Sequence, residues 1–228
     1  MKSILKYSVF VLLICCCVNA FSEEVNTLFK RAQFYEKINE DSAKYYYNQV
    51  VQVKTESEIY GKALRKIALL NATKKNENEN IILCKQAIAV FQKIKNQKEV
   101  GITYNAMANI YQIKGYFDLA IANYQKAAAI FKTIDFYNGL MICYSNIASI
   151  YTNTEQNNNA LQYNLLAYQT AISKNDTFSE GMIAHDVSIA FTKNNLLDSA
   201  NQYAALALKY GLSIKNDFVI SYAYKAFY

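Results

Sequence analysis

A pattern of apolar and small residues recurs every 40 residues along most of this chain of 228 residues. With Gly101 taken as position 1 of a unit, Met107, Ala108 and Tyr111 fall at positions 7, 8 and 11. These positions lie on one face of an α-helix, whose period is about 3.6 residues. After Gly115, which is typical of a turn, a second stripe predicts a second helix. The members of this stripe are Phe117, Ala120, Ile121, Tyr124, Ala127 and Ala128.

The same pattern returns at shifts of 40 residues in both directions, which places four units in register. The equivalent residues include Ile67, Ala68, Cys84, Ala87, Ile147, Ala148, Tyr151, Ala160, Ala167, Val187, Phe191, Ala200 and Ala207. Because the recurring alanines are small, they let the two helices of a unit approach closely. The chain has no proline and only six glycines, and a composition so poor in helix breakers predicts an all-α protein.

This pattern resembles the tetratricopeptide repeat (TPR), a helix–turn–helix unit. The resemblance covers roughly residues 25–228 and is clearest over 101–134. It implies a right-handed α-solenoid of stacked antiparallel helix pairs, the TPR superhelix. The expected pairs are at about 25–52, 61–95, 101–134, 141–174 and 181–211, followed by an unpaired helix at 217–228. The period of 40 residues exceeds the usual period of about 34, so we expect longer second helices or wider connections.

Residues 1–20 have the organisation of an export signal. Two lysines accompany the apolar run Tyr7–Val18, and the small-x-small triplet at 18–20 fits a cleavage site. The run is shorter than the ~20 residues that a membrane span needs. We therefore predict a signal peptide, a mature chain that begins near Phe21, and a location in the periplasm or cell envelope, or outside the cell. A lipid-modified N-terminus at Cys15–Cys17 is the alternative.

Two cysteines, Cys84 and Cys143, remain in the predicted mature chain. Both fall in repeat helices two units apart, and packed helices are ~10 Å from one another. We therefore expect these thiols to be buried apolar residues that are too far apart for a disulfide.

The connections are rich in side chains that cap helices. The predicted caps of the first helices come from Asp135, Asn138, Asn175, Asp176, Asn216 and Asp217, and Asp41 or Ser42 is expected to cap the second helix of the first pair.

The resemblance implies a binding groove, because the first helices of TPR units line a concave face. Amides, hydroxyls and a basic cluster occupy its positions here. The candidate groove residues are Lys62, Arg65, Lys66, Asn105, Asn109, Gln112, Ser145, Asn146, Ser149 and His185. Amides suit the backbone of an extended peptide, and the basic trio suits an acidic group. An ordinary solvated polar face is the alternative, and it is the one we expect at His185. Replacement is expected to leave stability nearly unchanged at seven of these positions, namely Lys62, Arg65, Lys66, Asn105, Asn109, Asn146 and Ser149.

Recognisable catalytic motifs are absent from the sequence: it has one histidine, no phosphate-binding glycine loop, no CxxC and no HExxH. We therefore predict no enzyme, no cofactor and no metal site. Without a long basic block, nucleic acid is not an expected partner. The leading hypothesis is a protein–protein interaction scaffold or sensor module of the bacterial cell envelope, with signal transduction as its context.

Two alternative functions keep the same repeats. The first is the sensory ectodomain of a longer membrane-bound histidine kinase or transcription regulator. It is favoured by the aromatic last helix without a partner, which is atypical of a solenoid cap and suggests a fragment. The second is an outer-membrane binding or assembly lipoprotein.

Overall fold

The computed structural model describes residues 23–73 and 77–225, which fold into helices and turns without a β-strand in those two ranges. The predicted signal peptide lies outside the described residues, as do residues 226–228. The helices are α1 (23–35), α2 (Glu40–Gln52), α3 (Glu58–Leu70), α4 (Glu77–Lys93), α5 (Gln97–Ile113), α6 (Phe117–Thr133), α7 (Tyr137–Asn153), α8 (Asn157–Ser173), α9 (Thr177–Lys193), α10 (Leu197–Ser213) and α11 (Asp217–Tyr224).

The chain divides into two compact units, Met1–Asn96 and Gln97–Tyr228, here called unit 1 and unit 2. In unit 1, α3 packs against α2 and α4, and α1 shares a core with α2 and α3. In unit 2, each helix packs against the next one along the chain, and α11 also packs against α9. Because short turns join these neighbours, consecutive helices of unit 2 are antiparallel.

The 40-residue period comes from helices and turns of constant length. Each helix from α5 to α10 has 17 residues, and three residues separate each from the next. A helix pair with its two turns therefore fills the period. Both helices of a pair are long, so the expectation that only the second helix or the connection would absorb the extra residues is wrong.

The turns of unit 2 share one backbone conformation. Each has one residue with positive φ, at 20-residue intervals, and Gly115 is one of them with φ of 80°. Around it, the Tyr116 N–H donates to the Tyr111 carbonyl at 2.9 Å and the Gly115 N–H donates to the Gln112 carbonyl at 3.0 Å. This is the Schellman motif, which satisfies the last carbonyls of a helix. The turn predicted at Gly115 is confirmed.

Two of the six predicted caps of the first helices are confirmed. The side chain of Asp176 accepts a hydrogen bond from the Ser179 N–H, and that of Asn216 accepts one from the Val219 N–H, each at 3.1 Å. The other predictions are wrong because the turn itself takes up the residues before each helix. Asp135 and Asn175 are the positive-φ turn residues, Asn138 and Asp217 lie inside helices, and Asn39 caps α2 in place of Asp41 or Ser42.

The predicted apolar stripes form the cores. In unit 2, Ala108, Ala120 and Ala127 are fully buried around the rings of Tyr124 and Phe131. The thiols are buried as well, Cys84 in unit 1 and Cys143 in unit 2, which confirms that they pack as small apolar residues.

The glycine at position 1 of a sequence repeat lies where two helices approach each other closely. A Cβ added at Gly101 would lie 2.5 Å from Cε1 of Phe131, and one added at Gly61 would lie 2.8 Å from the ring of Phe91. The two glycines hold the same repeat position, and so do the two phenylalanines. The same packing element therefore occurs in both units.

Candidate binding site

The candidate groove residues fall in different units. Lys62, Arg65 and Lys66 lie on α3 of unit 1, whereas Asn105, Asn109, Gln112, Ser145, Asn146, Ser149 and His185 lie on α5, α7 and α9 of unit 2.

The lysines of the basic trio are paired with carboxylates of their own unit. Lys62 forms an ion pair with Glu58, one helical turn away. Nζ of Lys66 lies 3.0 Å from Oε2 of Glu36, and the Tyr47 hydroxyl donates to the other oxygen of that carboxylate. The acidic group that the trio was expected to recruit is thus supplied internally.

Arg65 does not line a solvent-facing groove. Its side chain is buried, and its guanidinium carbon lies 5.5 Å from the centroid of the Phe91 ring. A guanidinium over an aromatic face is a favourable cation–π arrangement. The prediction that Arg65 anchors a partner's acidic end is therefore wrong, because α4 supplies a ring that covers it.

The amides of α5 serve the core of unit 2. The Tyr124 hydroxyl, on a fully buried ring, contacts the side-chain oxygen of Asn109 and lies 2.7 Å from that of Gln112. The Cys143 thiol lies 3.7 Å from the side-chain oxygen of Asn105. Since a buried hydroxyl without an acceptor is costly, these contacts argue that replacing Asn109 lowers stability, contrary to the prediction from sequence.

The side chains of α7 are the uncommitted ones. Ser145, Asn146 and Ser149 form no side-chain hydrogen bond with any residue that the structure describes, and Ser149 is exposed. Ser145, Ser149 and Thr152 follow one another at helical spacing, so their hydroxyls lie along one stripe of α7. This stripe is the part of the predicted groove that remains open for a ligand.

A pocket of about 320 Å³ lies beside this stripe. We call it the α7–α9 pocket; it is lined by Ser145, Ser149, Thr152, Asn164, Asp186, Ile189, Ala190 and Tyr222. It joins α7, α8, α9 and α11, all within unit 2. It brings Ser145 and Ser149, both predicted, together with Asn164, Asp186, Ala190 and Tyr222, which sequence reasoning missed. Asp186 could have been identified from the sequence, since it holds position 6 of its repeat, as Asn146 does in the repeat before it.

Asp186 is the charged group of the pocket. Its Oδ1 accepts a hydrogen bond from the Tyr222 hydroxyl at 3.2 Å, and its backbone carbonyl accepts one from the Asn164 amide at 3.4 Å. Burial raises the pKa of the Asp186 carboxyl from 3.8 to about 6, although the Tyr222 hydrogen bond acts in the opposite direction. A carboxylate with a raised pKa in a pocket is typical of functional sites.

His185 is buried, not solvated as predicted. Its side chain is 3% exposed, its ring centroid lies 3.9 Å from that of Tyr222, and its Nδ1 has no partner among the described residues. Burial, together with the charge of Lys225, lowers the pKa of the imidazole. The helix α11 therefore covers His185, which contributes to the wall behind Tyr222 and does not face the ligand space.

A larger hollow of about 600 Å³ lies at the turn edge of unit 2. It is lined by the first half of α6 and by residues at the turns after α5 and α7, among them Gly115, Tyr116 and Thr154. Its one carboxylate, Asp118, is exposed. We place the candidate site in the smaller α7–α9 pocket, because that pocket combines a partly buried charge with uncommitted hydroxyls.

The thiols of Cys84 and Cys143 are buried away from solvent. Burial raises the pKa of both thiols, Cys84 and Cys143, to about 12, so that they are protonated at neutral pH. Within the described ranges, no group of three or more histidine, cysteine or acidic side chains is arranged to hold a metal ion. Among the helices described, none has the length and apolar character needed to cross a membrane.

Solved structures share this fold at low sequence identity. A chain of nearly identical TPR-like repeats from Podosopora anserina has a TM-score of 0.67 at 14% identity, over 85% of this chain and 97% of its own. Aspartyl phosphate phosphatase F from Bacillus subtilis has a TM-score of 0.76 at 14% identity, over 89% of this chain and 54% of its own.

A third similar structure contains a bound peptide. It is the Rap conjugation gene regulator of the plasmid pLS20 in complex with a Phr peptide, with a TM-score of 0.61 at 12% identity, over 88% of this chain and 56% of its own. No family profile and no curated protein matches the sequence. From the helix pairs and these likenesses together, the chain has the all-α, solenoid fold of the TPR-like repeat proteins.

Proposed function

We propose that this chain is a non-enzymatic protein–protein interaction module that binds an extended segment of a partner protein along α7 and α9 of unit 2. The observation that carries the proposal is the stripe of hydroxyls on α7, from Ser145 to Thr152, beside the α7–α9 pocket. Hydroxyl and amide side chains both donate and accept hydrogen bonds, as the backbone of an extended peptide requires.

Repeat architecture supports this proposal. Stacked helix pairs provide extended binding surfaces, and one protein of similar fold is known in complex with a peptide. The protonated thiols and the buried His185 also favour binding over chemistry, because none of them is available as a nucleophile or base in the pocket.

Within this proposal, the module works in the cell envelope as a scaffold or sensor. The support is the export signal read from residues 1–20. A sensory ectodomain of a longer kinase or regulator, and an envelope lipoprotein, remain variants of the same binding function. N-terminal sequencing of the mature protein tests export: a start near Phe21 is expected, and retention of Met1 would contradict it. Labelling with a palmitate analogue separates the lipoprotein from the others.

Site-specific photo-crosslinking tests the binding surface. A photoreactive amino acid at Ser149 is expected to give a discrete adduct with a partner protein in cells, because this exposed side chain borders the pocket. The control position is Lys209, which is exposed on α10 of the same unit. An adduct at Lys209 with none at Ser149 would move the site away from α7.

A further inference from the structure

We propose that the α7–α9 pocket binds a primary ammonium group, carried by a lysine side chain of the bound segment. The inference rests on the proposed function and adds the chemical identity of the group that the pocket recognises. It reverses the charge expected from sequence, in which a basic cluster would have held an acidic partner.

The Asp186 carboxylate has no charged partner among the described residues. Its described side-chain contact is the hydrogen bond from the Tyr222 hydroxyl to Oδ1, at 3.2 Å. No ion pair within the described ranges includes Asp186. Removing a charged carboxylate from water costs free energy unless the carboxylate is paired. A cation from the ligand would supply the missing partner.

The nearby cations of the protein do not fill this role. Lys225, the residue directly after α11, has its Nζ 5.7 Å from the centroid of the Tyr222 ring, and it forms no ion pair with Asp186 in the described part of the chain. His185, the neighbour of Asp186 on α9, is buried and has a lowered pKa, so it is neutral at physiological pH. The lining residues from α7 and α8 carry hydroxyls and an amide but no charge.

The acceptors that line the pocket match the donors of an ammonium group. An ammonium group has three N–H donors and no acceptor. Asp186 and the hydroxyls of Ser145, Ser149 and Thr152 provide acceptors around one space. Ile189 and the Tyr222 ring give that space an apolar part, against which the methylene stem of a lysine can pack.

The volume of the pocket and the hydrogen bonding of the Asp186 carboxylate also favour a lysine side chain. A pocket of about 320 Å³ is at the lower end of the range of ~300–1,000 Å³ for ligand sites, so it suits one long side chain. A guanidinium prefers both oxygens of a carboxylate in a planar fork. Since Tyr222 already donates to Oδ1 of Asp186, the single-point contact of an ammonium group fits better.

Selection from a random peptide library tests the inference without a known partner. The probe is a library of decapeptides displayed between constant flanking residues and selected on the immobilised mature chain. We expect lysine to be enriched at one position on the wild-type protein, and this enrichment to be lost on Asp186→Asn. The control Asp198→Asn, which changes an exposed carboxylate of α10, should select the same lysine-containing peptides as wild type.

The outcomes separate the two proposals. Wild-type selection of peptides without lysine enrichment would overturn the ammonium site and leave peptide binding intact. The same holds if Asp186→Asn enriches lysine as strongly as wild type. Failure of every variant to select any peptide would overturn the proposed function as well.

Titration of one selected peptide gives the second readout, which does not depend on the variant's folding. Replacing its lysine by norleucine or acetyl-lysine should weaken binding by about tenfold to a hundredfold, the loss expected for one charge-assisted hydrogen bond. Binding of the parent peptide should also weaken below pH of about 6, as Asp186 becomes protonated. Equal affinities of the lysine and norleucine peptides would overturn the proposal. Free n-butylamine identifies the source: weak competition supports a peptide-borne lysine, and competition as strong as the peptide itself would assign the pocket to small amines instead.

Discussion

The helices α3 of unit 1 and α7 of unit 2 both carry polar side chains on the predicted groove face but use them differently. In unit 1, the Lys62 and Lys66 ammonium groups are paired with Glu58 and Glu36, and Arg65 is covered by the Phe91 ring. In unit 2, the α7 hydroxyls at the pocket have no hydrogen-bond partner among the described residues, and no cation of those residues pairs with Asp186.

This difference shows that the repeat position of a polar residue does not decide its role. A polar group whose neighbours satisfy it contributes to folding, whereas one that faces a pocket without a partner is available to a ligand. The apolar framework is nevertheless alike in the two units.

The largest expected effect tests the shared framework. Phe131→Ala and Phe91→Ala each remove a buried ring. The Phe131 ring packs against Gly101 in unit 2, and the Phe91 ring packs against Gly61 in unit 1. Each substitution should lower the free energy of unfolding of its unit by about 3–5 kcal/mol, as expected for truncating a buried phenylalanine. Denaturant titration measures both losses. A near-neutral result for one of them would mean that the two units do not share this packing element.

A smaller loss is expected for amides that satisfy the core. The double variant Asn109→Ala/Gln112→Ala removes the acceptors of the buried Tyr124 hydroxyl and should cost about 1–3 kcal/mol. The matched control, Ser145→Ala/Ser149→Ala, removes hydroxyls without a described partner and should change stability by less than about 0.5 kcal/mol per site. Similar losses for the two double variants would erase the distinction between committed and free polar groups.

A gain in stability is expected at Asp186. The pKa of its carboxyl is raised from 3.8 to about 6, so the folded chain retains a proton that the unfolded chain has lost between these pH values. Stability therefore falls as the pH rises through this window. Asp186→Asn avoids this cost and should be more stable at pH 7.5 by about 1–2 kcal/mol, after allowance for the partial exposure of the group.

The pH dependence of this gain provides its check. The difference between Asp186→Asn and wild type should shrink as the pH falls from 6 towards 3.8 and disappear about one unit lower, where the carboxyl is protonated in both the folded and the unfolded state. Chemical denaturation at pH of about 7.5 and about 2.8 measures it. A variant less stable than wild type at pH 7.5 would show that the carboxylate is stabilised by its surroundings, and the pocket would then lack an unmet charge.

Much of the fold was predictable because the packing stripes are regular. The residues at positions 7, 8, 11, 20 and 27 gave the helix pairs. The helix starts were placed too late, since α5 begins at Gln97 and α7 at Tyr137, four residues before the glycine or methionine at which the pattern was counted. The first turns of these helices do carry core residues, such as Val100 and Leu140, but a pattern that starts at the glycine or methionine leaves them outside the predicted helix.

The site was only half predictable. Repeat position predicted that Ser145 and Ser149 share one face of α7, and both line the α7–α9 pocket. It could do so because it specifies which face of its own helix a residue occupies. It does not specify what other helices place over that face. Tyr222 covers His185 and completes the pocket only because α11 folds against α9. Similarly, the burial of Arg65 depends on the ring of Phe91 from α4.

The most direct test compares binding by the two polar faces. A library-selected peptide is titrated against Ser145→Ala/Asn146→Ala/Ser149→Ala in unit 2 and against Lys62→Ala/Lys66→Ala in unit 1. The account predicts at least about tenfold weaker binding for the unit 2 variant, since it removes three groups that can bond a peptide. The unit 1 variant should bind as wild type does, because its lysines serve internal carboxylates. Unchanged affinity for the unit 2 variant, together with lost affinity for the unit 1 variant, would contradict the account.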